Sequence, residues 1–401
     1  MATEKEQLLQ RFREWMAFAA DLGKYDDRFW NQSVAPGKWS VREVVAHIKQ
    51  WDDCFYEEAI AKVEAGLPLT VKHLDYDEFN EMAKDYGKNT SRIELAAQAI
   101  HSRERIILAI GRFSDERYEG DYEDADGHLF QTPQYLKDFI WHDQHHIMPI
   151  NRLLHLRIEE MSLNGWPALQ TVVYDGWLLR FAEGYTKRSN SVNPLYGHTL
   201  ELDAKIRECE ERYAGQNLRT VFKITPFSQP AGLDEELALR GYELVDETIV
   251  KTIHLTDVQT PSFADVWLEN ELSESWLDAL TIFSKLTDEH RTATRKMLLQ
   301  SPLQKCFALL HENGIPVACG YAVIEDGWVG LYDIITDPSK RNRGFGEQLV
   351  LHLLQWGKEQ GAAEGYLLVV KNNKPANALY DKIGYSAQYE YWYRVSNITG
   401  R

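Results

Sequence analysis

Asp337-Pro338-Ser339-Lys340-Arg341-Asn342-Arg343-Gly344-Phe345-Gly346 stands between an apolar run, Trp328 to Thr336, and a long amphipathic stretch, Gly344 to Gln360. The run reads as a strand, and the stretch as a helix that stops at Gly361. Gly344 and Gly346 then fall at a helix N-terminus, where free backbone N–H groups and the helix dipole favour an anion such as a pyrophosphate. A dinucleotide fingerprint would carry a third glycine in place of Leu349, and a P-loop would continue Gly-Lys-Ser/Thr; neither is present. A plain strand-to-helix turn without a ligand is the alternative.

Around this turn the elements alternate. Upstream, strands are expected at Cys306 to Leu310, Pro316 to Glu325 and Trp328 to Thr336, joined by Asn313-Gly314 and Asp326-Gly327, dipeptides suited to two-residue hairpins. Downstream come a strand at Tyr366 to Val370 and a helix from Pro375 to Lys382 closed by Gly384. Earlier, Gln170 to Ala182 reads as two strands about Asp175-Gly176. A helix from Leu202 to Tyr213, a strand at Thr220 to Ile224, a helix at Leu233 to Arg240 and a strand at Thr248 to His254 follow. Gly241-Tyr242 echoes Gly384-Tyr385, each ending a short helix before an aromatic strand, which points to a degenerate internal duplication.

The first 155 residues are helical. Leu8, Phe12, Met16 and Ala19 recur at helical spacing from Glu4 to Ala20. Ser40 with Glu43 and Ser91 with Glu94 are capping pairs that start a second and a third helix, and Thr132-Pro133 starts a fourth. Four long helices imply an antiparallel bundle, with the polar segment Leu67 to Asn89 crossing it as a long connection. His47 lies on the apolar stripe of the second helix, and His142 and His146 share one face of the fourth. Three neutral imidazoles and an open position suit zinc, nickel, copper or iron; a buried core histidine and partly solvated neighbours are the alternative. His145 points elsewhere.

Two resemblances follow from these residues. The run Pro36 to His47, with Lys38-Trp39-Ser40-Val41-Arg42-Glu43, and Trp141-His142-Asp143-Gln144-His145-His146 resemble the second-helix entry and final His-x-x-x-His of the DinB-like superfamily of four-helix bundles. The resemblance implies a divalent metal, zinc or nickel, held by His47, His142 and His146. Asp337-Pro338, Arg341-x-x-Gly344-x-Gly346, Asn373-x-x-Ala376-x-x-Leu379-Tyr380 and Ile383-Gly384-Tyr385 resemble the GNAT acetyltransferases. That resemblance implies acetyl-CoA: backbone groups of Ile334, Ile335 and Thr336 along the pantetheine arm, amides of Arg341, Asn342, Arg343, Gly344, Phe345 and Gly346 on the pyrophosphate, and Asn373 on the pantetheine side. The fold class expected is an all-α, DinB-like four-helix bundle at 1–158, then an α/β GNAT fold with a degenerate GNAT-like half at 165–256 and a catalytic half at 257–401.

The chemistry requires an acid and a base. Tyr380 matches the family's tyrosine and, with an ordinary pKa near 10, can protonate a departing thiolate. Asp333, on the strand leading to the turn, and Glu325, at the end of the preceding strand, are the base candidates, with water as a third. Arg188 and Asn190, in the polar segment Gly184 to Val192, are candidates to orient a carboxylate or carbonyl of the acceptor.

Composition limits the partners. The chain has 401 residues, 44 Lys and Arg against 61 Asp and Glu, and a net charge of −17, which repels a phosphate backbone. Nucleic acid is not expected as a partner; a small-molecule amine is. No stretch reaches eighteen apolar residues and the start lacks a leader pattern, so no membrane and a cytoplasmic location are expected. Cys54, Cys209, Cys306 and Cys319 lack Cys-x-x-Cys spacing and read as buried thiols. A homodimer is an assembly this reading allows. The leading function is N-acetyl transfer to a small amine; the alternatives are a metal-dependent thiol transferase or hydrolase in the bundle, or a sequestering self-protection protein, each with an accessory GNAT domain.

Overall fold

The structure, a computed structural model, describes residues 2–397; Met1 and residues 398–401, which end the last expected segment, lie outside the described residues. Two compact units divide the chain, Met1–Leu154 and His155–Arg401.

In the first unit the capping signals become helix starts. Ser40 accepts from the Glu43 amide and the Glu43 carboxylate accepts from the Ser40 amide at 2.8 Å, opening the helix Val41–Phe55. Ser91 accepts from the Glu94 amide at 3.3 Å and opens Arg92–Gly111. The single first helix expected is two, Glu4–Phe12 and Glu14–Leu22, broken at Arg13. The fourth, Thr132–Gly165, contributes its residues up to Leu154 to this unit. A short hairpin, β1 (Tyr122–Glu123) and β2 (Leu129–Phe130), precedes it.

The segment Leu67 to Asn89 departs from expectation. Asp75 accepts from the amides of Asp77 and Glu78 and starts a helix, Tyr76–Asn89, that packs on Val41–Phe55. Its buried positions are Ala83 and Gly87, small residues that carry little apolar signal. A Cβ on Gly87 would come within 2.8 Å of the Ala46 Cβ, so this contact requires a residue without a side chain. Phe12, Ile60, Ile106, Ile110 and Leu136 form the core. Within it Arg103 bonds Asp52 at 2.9 Å and Asp143 through two bonds of 2.6 and 3.0 Å, tying three helices together through fully buried charge.

The second unit is built on one sheet. Its strands are β3 (Gln170–Tyr174), β4 (Trp177–Phe181), β5 (Val192–Asn193), β6 (Val221–Ile224), β7 (Glu243–His254), β8 (Val266–Glu269), β9 (Gln304–Glu312), β10 (Ile315–Glu325), β11 (Trp328–Thr336), β12 (Glu364–Val370) and β13 (Ser386–Val395). They are ordered β3-β4-β5-β6-β13-β7-β12-β11-β10-β9-β8. The three expected hairpin turns are present, with positive φ at Asp175, Asn313 and Asp326 and at the glycine after each. The last strand, β13, inserts between β6 and β7, and β7 pairs with β12. Residues 165–256 and 257–401 therefore share one sheet and one compact unit, and no domain boundary falls at 256. The helix Phe345–Glu359 lays Leu349, Val350, Leu353 and Leu354 on Val329, Leu331 and Ala318 of β10 and β11.

Cys209, Cys306 and Cys319 are buried, whereas Cys54 is half-buried. Among the described residues no helix is long and apolar enough to cross a membrane.

Candidate functional site

The site begins where two parallel strands part. β11 and β12 pair from Trp328↔Glu364 to Leu331↔Leu367 and no further. On its other edge β11 stays paired with β10, but Tyr332 faces Tyr321 and Ile335 faces Cys319, so Asp333 and Ile334 together oppose Gly320. This is a β-bulge; it puts Asp333 at φ +47 and bends the strand away from β12. The β12-facing edge of Ile334, Ile335 and Thr336 is left without a strand partner among the described residues.

That edge runs into the glycine turn. Asp337 caps the short turn Pro338–Lys340 by accepting from the Ser339 amide at 2.8 Å, and Asn342 is at φ +60. Gly344 sits at φ +83 as the N-cap of Phe345–Glu359, and no side chain caps that helix start. A Cβ at Gly346 would stand 3.2 Å from Thr336 Oγ1. The first amides of the helix are thus open to an anion at the end of the strand edge. Side chains contribute less here: Phe345 is buried in the core, and Arg343 and Lys340 are both bound to Glu312. Asn373 accepts from the Ala376 amide at 3.3 Å as the N-cap of Lys374–Ile383.

Beside the bulge is a cavity of about 180 Å³ lined by Asp333, Arg188, Trp166, Thr248, Tyr391 and Tyr393. Burial raises the pKa of Asp333 to about 6 against the pull of Arg188, and its Oδ2 is enclosed and unpartnered. Burial opposes the charge on Arg188, but Tyr391, Tyr393 and Asp333 outweigh it and hold the guanidinium protonated. Its Nη2 donates to the Leu368 carbonyl at 3.1 Å, on the part of β12 that has left β11. Tyr380 is buried, with its hydroxyl pKa raised to about 12 by burial and drawn back by Arg188. Asp333 is therefore ionised at neutral pH while Tyr380 keeps its proton, the states a base and an acid require.

Two expected residues lie apart. Asn190 spends its side chain on its own loop, accepting from the amides of Ala182 at 2.7 Å and Gly184 at 3.1 Å and donating to the Thr186 carbonyl. Glu325 is at the far end of the β10–β11 hairpin, paired with Trp328, where it accepts from Asn164 at 2.9 Å and lines a separate cavity of about 630 Å³. Five residues of extended chain, about 16 Å, separate the Trp328 end from Asp333.

The bundle holds a second cluster. His47, His142 and His146 offer ring nitrogens that all lie within 4.8 Å of one another, with 3.0 Å between the Nε2 atoms of His47 and His142. Asn80 Oδ1 faces His47 Nδ1 at 2.9 Å, so the proton belongs on Nδ1 and the Nε2 lone pair faces the cluster. Burial lowers the pKa values of His47 and His146 to about 3 and that of His142 to about 4, leaving the rings neutral. Trp39 stacks on His146 and meets the edge of His47. His145 stacks on Trp141 instead. Asn80 escaped the sequence reading because its helix did; Asp75 followed by Phe79 and Ala83 was the available signal. Trp166 and Tyr393 were missed because nothing local distinguishes a cavity wall from core.

Residues 156–394 match the family model described as "Probable histone acetyltransferase Rv0428c C-terminal", and residues 7–148 match that of the DinB superfamily. The chain is 32% identical over 244 residues to the uncharacterized N-acetyltransferase YobR of Bacillus subtilis, covering 60% of this chain and 97% of that protein. Among solved structures, a GCN5-related N-acetyltransferase from Kribbella flavida is 20% identical, covering 61% of this chain and 95% of its own, with a TM-score of 0.48. YfiT from Bacillus subtilis, titled a probable metal-dependent hydrolase with an unusual four-helix bundle topology, is 20% identical over 37% of this chain and 86% of its own, with a TM-score of 0.31. The match over more than half its length, together with the YobR relationship, makes this chain a member of the Rv0428c C-terminal family of GNAT N-acetyltransferases, carrying a DinB superfamily domain at residues 7–148.

Proposed function

We propose that the unit His155–Arg401 transfers an acetyl group from acetyl-CoA to the amine of a small molecule in the cytoplasm. The observation that carries this reading is the free edge of β11, from Ile334 to Thr336, leading directly into the uncapped helix start at Gly344. The edge fits an amide-bearing pantetheine arm as a substitute strand, and the helix start fits a pyrophosphate. When bound, acetyl-CoA supplies the acetyl group as a thioester, whose C–S bond breaks as a C–N bond to the amine forms. Asp333 takes the ammonium proton, and Tyr380 donates its hydroxyl proton as charge develops on sulfur. Arg188, held by Leu368, orients the acceptor. Thermal unfolding with and without acetyl-CoA, in wild type and Gly344→Asp, tests the reading. A shift in wild type that vanishes in the variant is expected; a folded wild type with no shift overturns it.

We propose further that His47, His142 and His146 hold a divalent metal, zinc or nickel. Three neutral imidazoles oriented by Asn80, with the enclosed His142 Nδ1 free of a partner among the described residues, fit the donor set of such an ion. A metal there would act as a Lewis acid with a position open to a thiol or water. Metal analysis of the purified chain should find one ion per molecule, lost on replacing the histidines.

A further inference from the structure

The charges in the cavity beside Asp333 do not cancel. Toward solvent, Lys187 and Asp246 pair with each other at 2.8 Å. Arg188 and Asp333 each shift the other's proton affinity, yet no ion pair joins them, and no carboxylate is in ion-pair contact with Arg188 among the described residues. Two residues of the wall carry buried donors: the indole N–H of Trp166, which has no partner among the described residues, and the hydroxyl of Tyr393, which faces Tyr391. Buried donors and separated charges are unfavourable unless something completes them. Arg188 and Asp333 line the same cavity, one cationic and one anionic with no ion pair between them, which is the complement of one compact molecule carrying both an ammonium and a carboxylate.

We infer that the acceptor is a free amino acid, with its carboxylate on Arg188 and its amino group beside Asp333. This inference rests on the acetyl-transfer reading and narrows it: an amine lacking the carboxylate leaves the charge of Arg188 without an anion in contact with it. The amino group gives one proton to Asp333, bonds to the acetyl carbon and loses a second proton as the amide forms. The departing sulfur takes one from Tyr380, so an N-acetyl amino acid and the free thiol of coenzyme A leave, with one proton released to water. Arg188 suits a carboxylate through two parallel N–H bonds, which an amide or ester cannot reproduce.

The test measures thiol release from acetyl-CoA by the full chain, with the standard free α-amino acids, β-alanine and γ-aminobutyrate as acceptors. The best acceptor is then compared with its carboxamide and with a lysine blocked at both ends. A loss in kcat/KM of at least about 100-fold from acid to amide is expected, because a site built to pair a polar group rejects analogues that lack it. Arg188→Gln should lower kcat/KM for the acid by a similar factor and add little further loss for the amide. The wild-type acid-to-amide ratio stands even if that variant fails to fold. Equal use of acid and amide, preference for the blocked lysine, or no turnover of any free amino acid by protein that acetyl-CoA stabilises overturns the inference while the acetyl-transfer reading survives. Absence of any stabilisation by acetyl-CoA overturns both.

Discussion

Leu331 and Leu367 form the last pair of the parallel ladder between β11 and β12; two residues further on, Asp333 turns out of the strand at φ +47. The bulge thus opens the strand edge and presents the carboxylate in one local distortion, with Gly320 opposite it. A Cβ on Gly320 would meet Ile334 Cδ1 at 2.8 Å, so Gly320→Val is expected to push the bulge out of place and lower both acetyl-CoA binding and turnover. Retained binding with normal turnover would contradict the coupling.

Ligand stabilisation tests the helix start. At about 100 times its dissociation constant, acetyl-CoA should stabilise the fold by roughly 2.7 kcal/mol. Gly344→Asp places negative charge at the uncapped amides and forces an acidic residue to φ +83, so the gain should disappear. Gly344→Ala carries only the backbone strain, about 1 kcal/mol, and should keep most of the shift.

Asp333 sets a pH dependence. With a pKa of about 6 it is ionised above that value, so kcat/KM should rise with pH through about 6 and level off near neutrality. Asp333→Asn should lose about 10² to 10⁴ in kcat/KM and the rise with it. Stability runs the other way. The folded pKa lies above the unfolded value of 3.8, so the folded state binds the proton more tightly, and this group's contribution falls as pH rises from about 4 to about 6. The Asn variant should therefore gain Tm relative to wild type at pH 7.5 more than at pH 4; an unchanged difference would remove Asp333 from the buried titrating groups.

Tyr380→Phe keeps the packing against Tyr385, whose ring centroid is 5.8 Å away, and removes the hydroxyl alone. Turnover should fall by about 10² with little change in Tm. Normal kcat in a folded variant would assign the proton to water.

Metal content can be separated from folding in the bundle. Asn80→Ala removes the partner of His47 Nδ1 and should weaken metal binding by about 10- to 100-fold, measured by competition with a chelating dye. His142→Ala should abolish it. Equal affinity in both would show that the ion, if present, is held elsewhere.

Lys223 and Glu159 form a buried ion pair in the second unit, with the Tyr389 hydroxyl on the other Glu159 oxygen at 2.8 Å. Removing one partner, as in Lys223→Met, strands the other and should cost about 3–5 kcal/mol in urea unfolding. Lys223→Met with Glu159→Leu should recover most of that loss. A single variant as stable as wild type would contradict the pairing.

Much of this protein is written locally. Ser40 with Glu43, Asp175-Gly176, Asn313-Gly314, Asp326-Gly327 and the glycines at 344 and 384 act through their own backbone conformation or that of a few neighbours, so helix starts, hairpins and the glycine turn before the long helix were legible residue by residue. His47, His142 and His146 were legible as one cluster because helical spacing puts them on inward stripes. The helix Tyr76–Asn89 was not, because it packs through Ala83 and Gly87, whose fit depends on Ala46 of another helix. The insertion of β13 between β6 and β7 is a long-range pairing that no local propensity encodes. Nor does any local signal separate Asp333 from Glu325, both acids near strand ends. The bulge opposite Gly320 and the approach of Arg188 from a distant loop put one beside a cationic side chain, while the hairpin geometry leaves the other at the opposite end of the strand. Sequence alone determined the elements and the glycine turn at the helix start, since backbone chemistry decides those. Tertiary structure alone decided which carboxylate faces Arg188, since a pKa and a cavity depend on groups brought together from far along the chain.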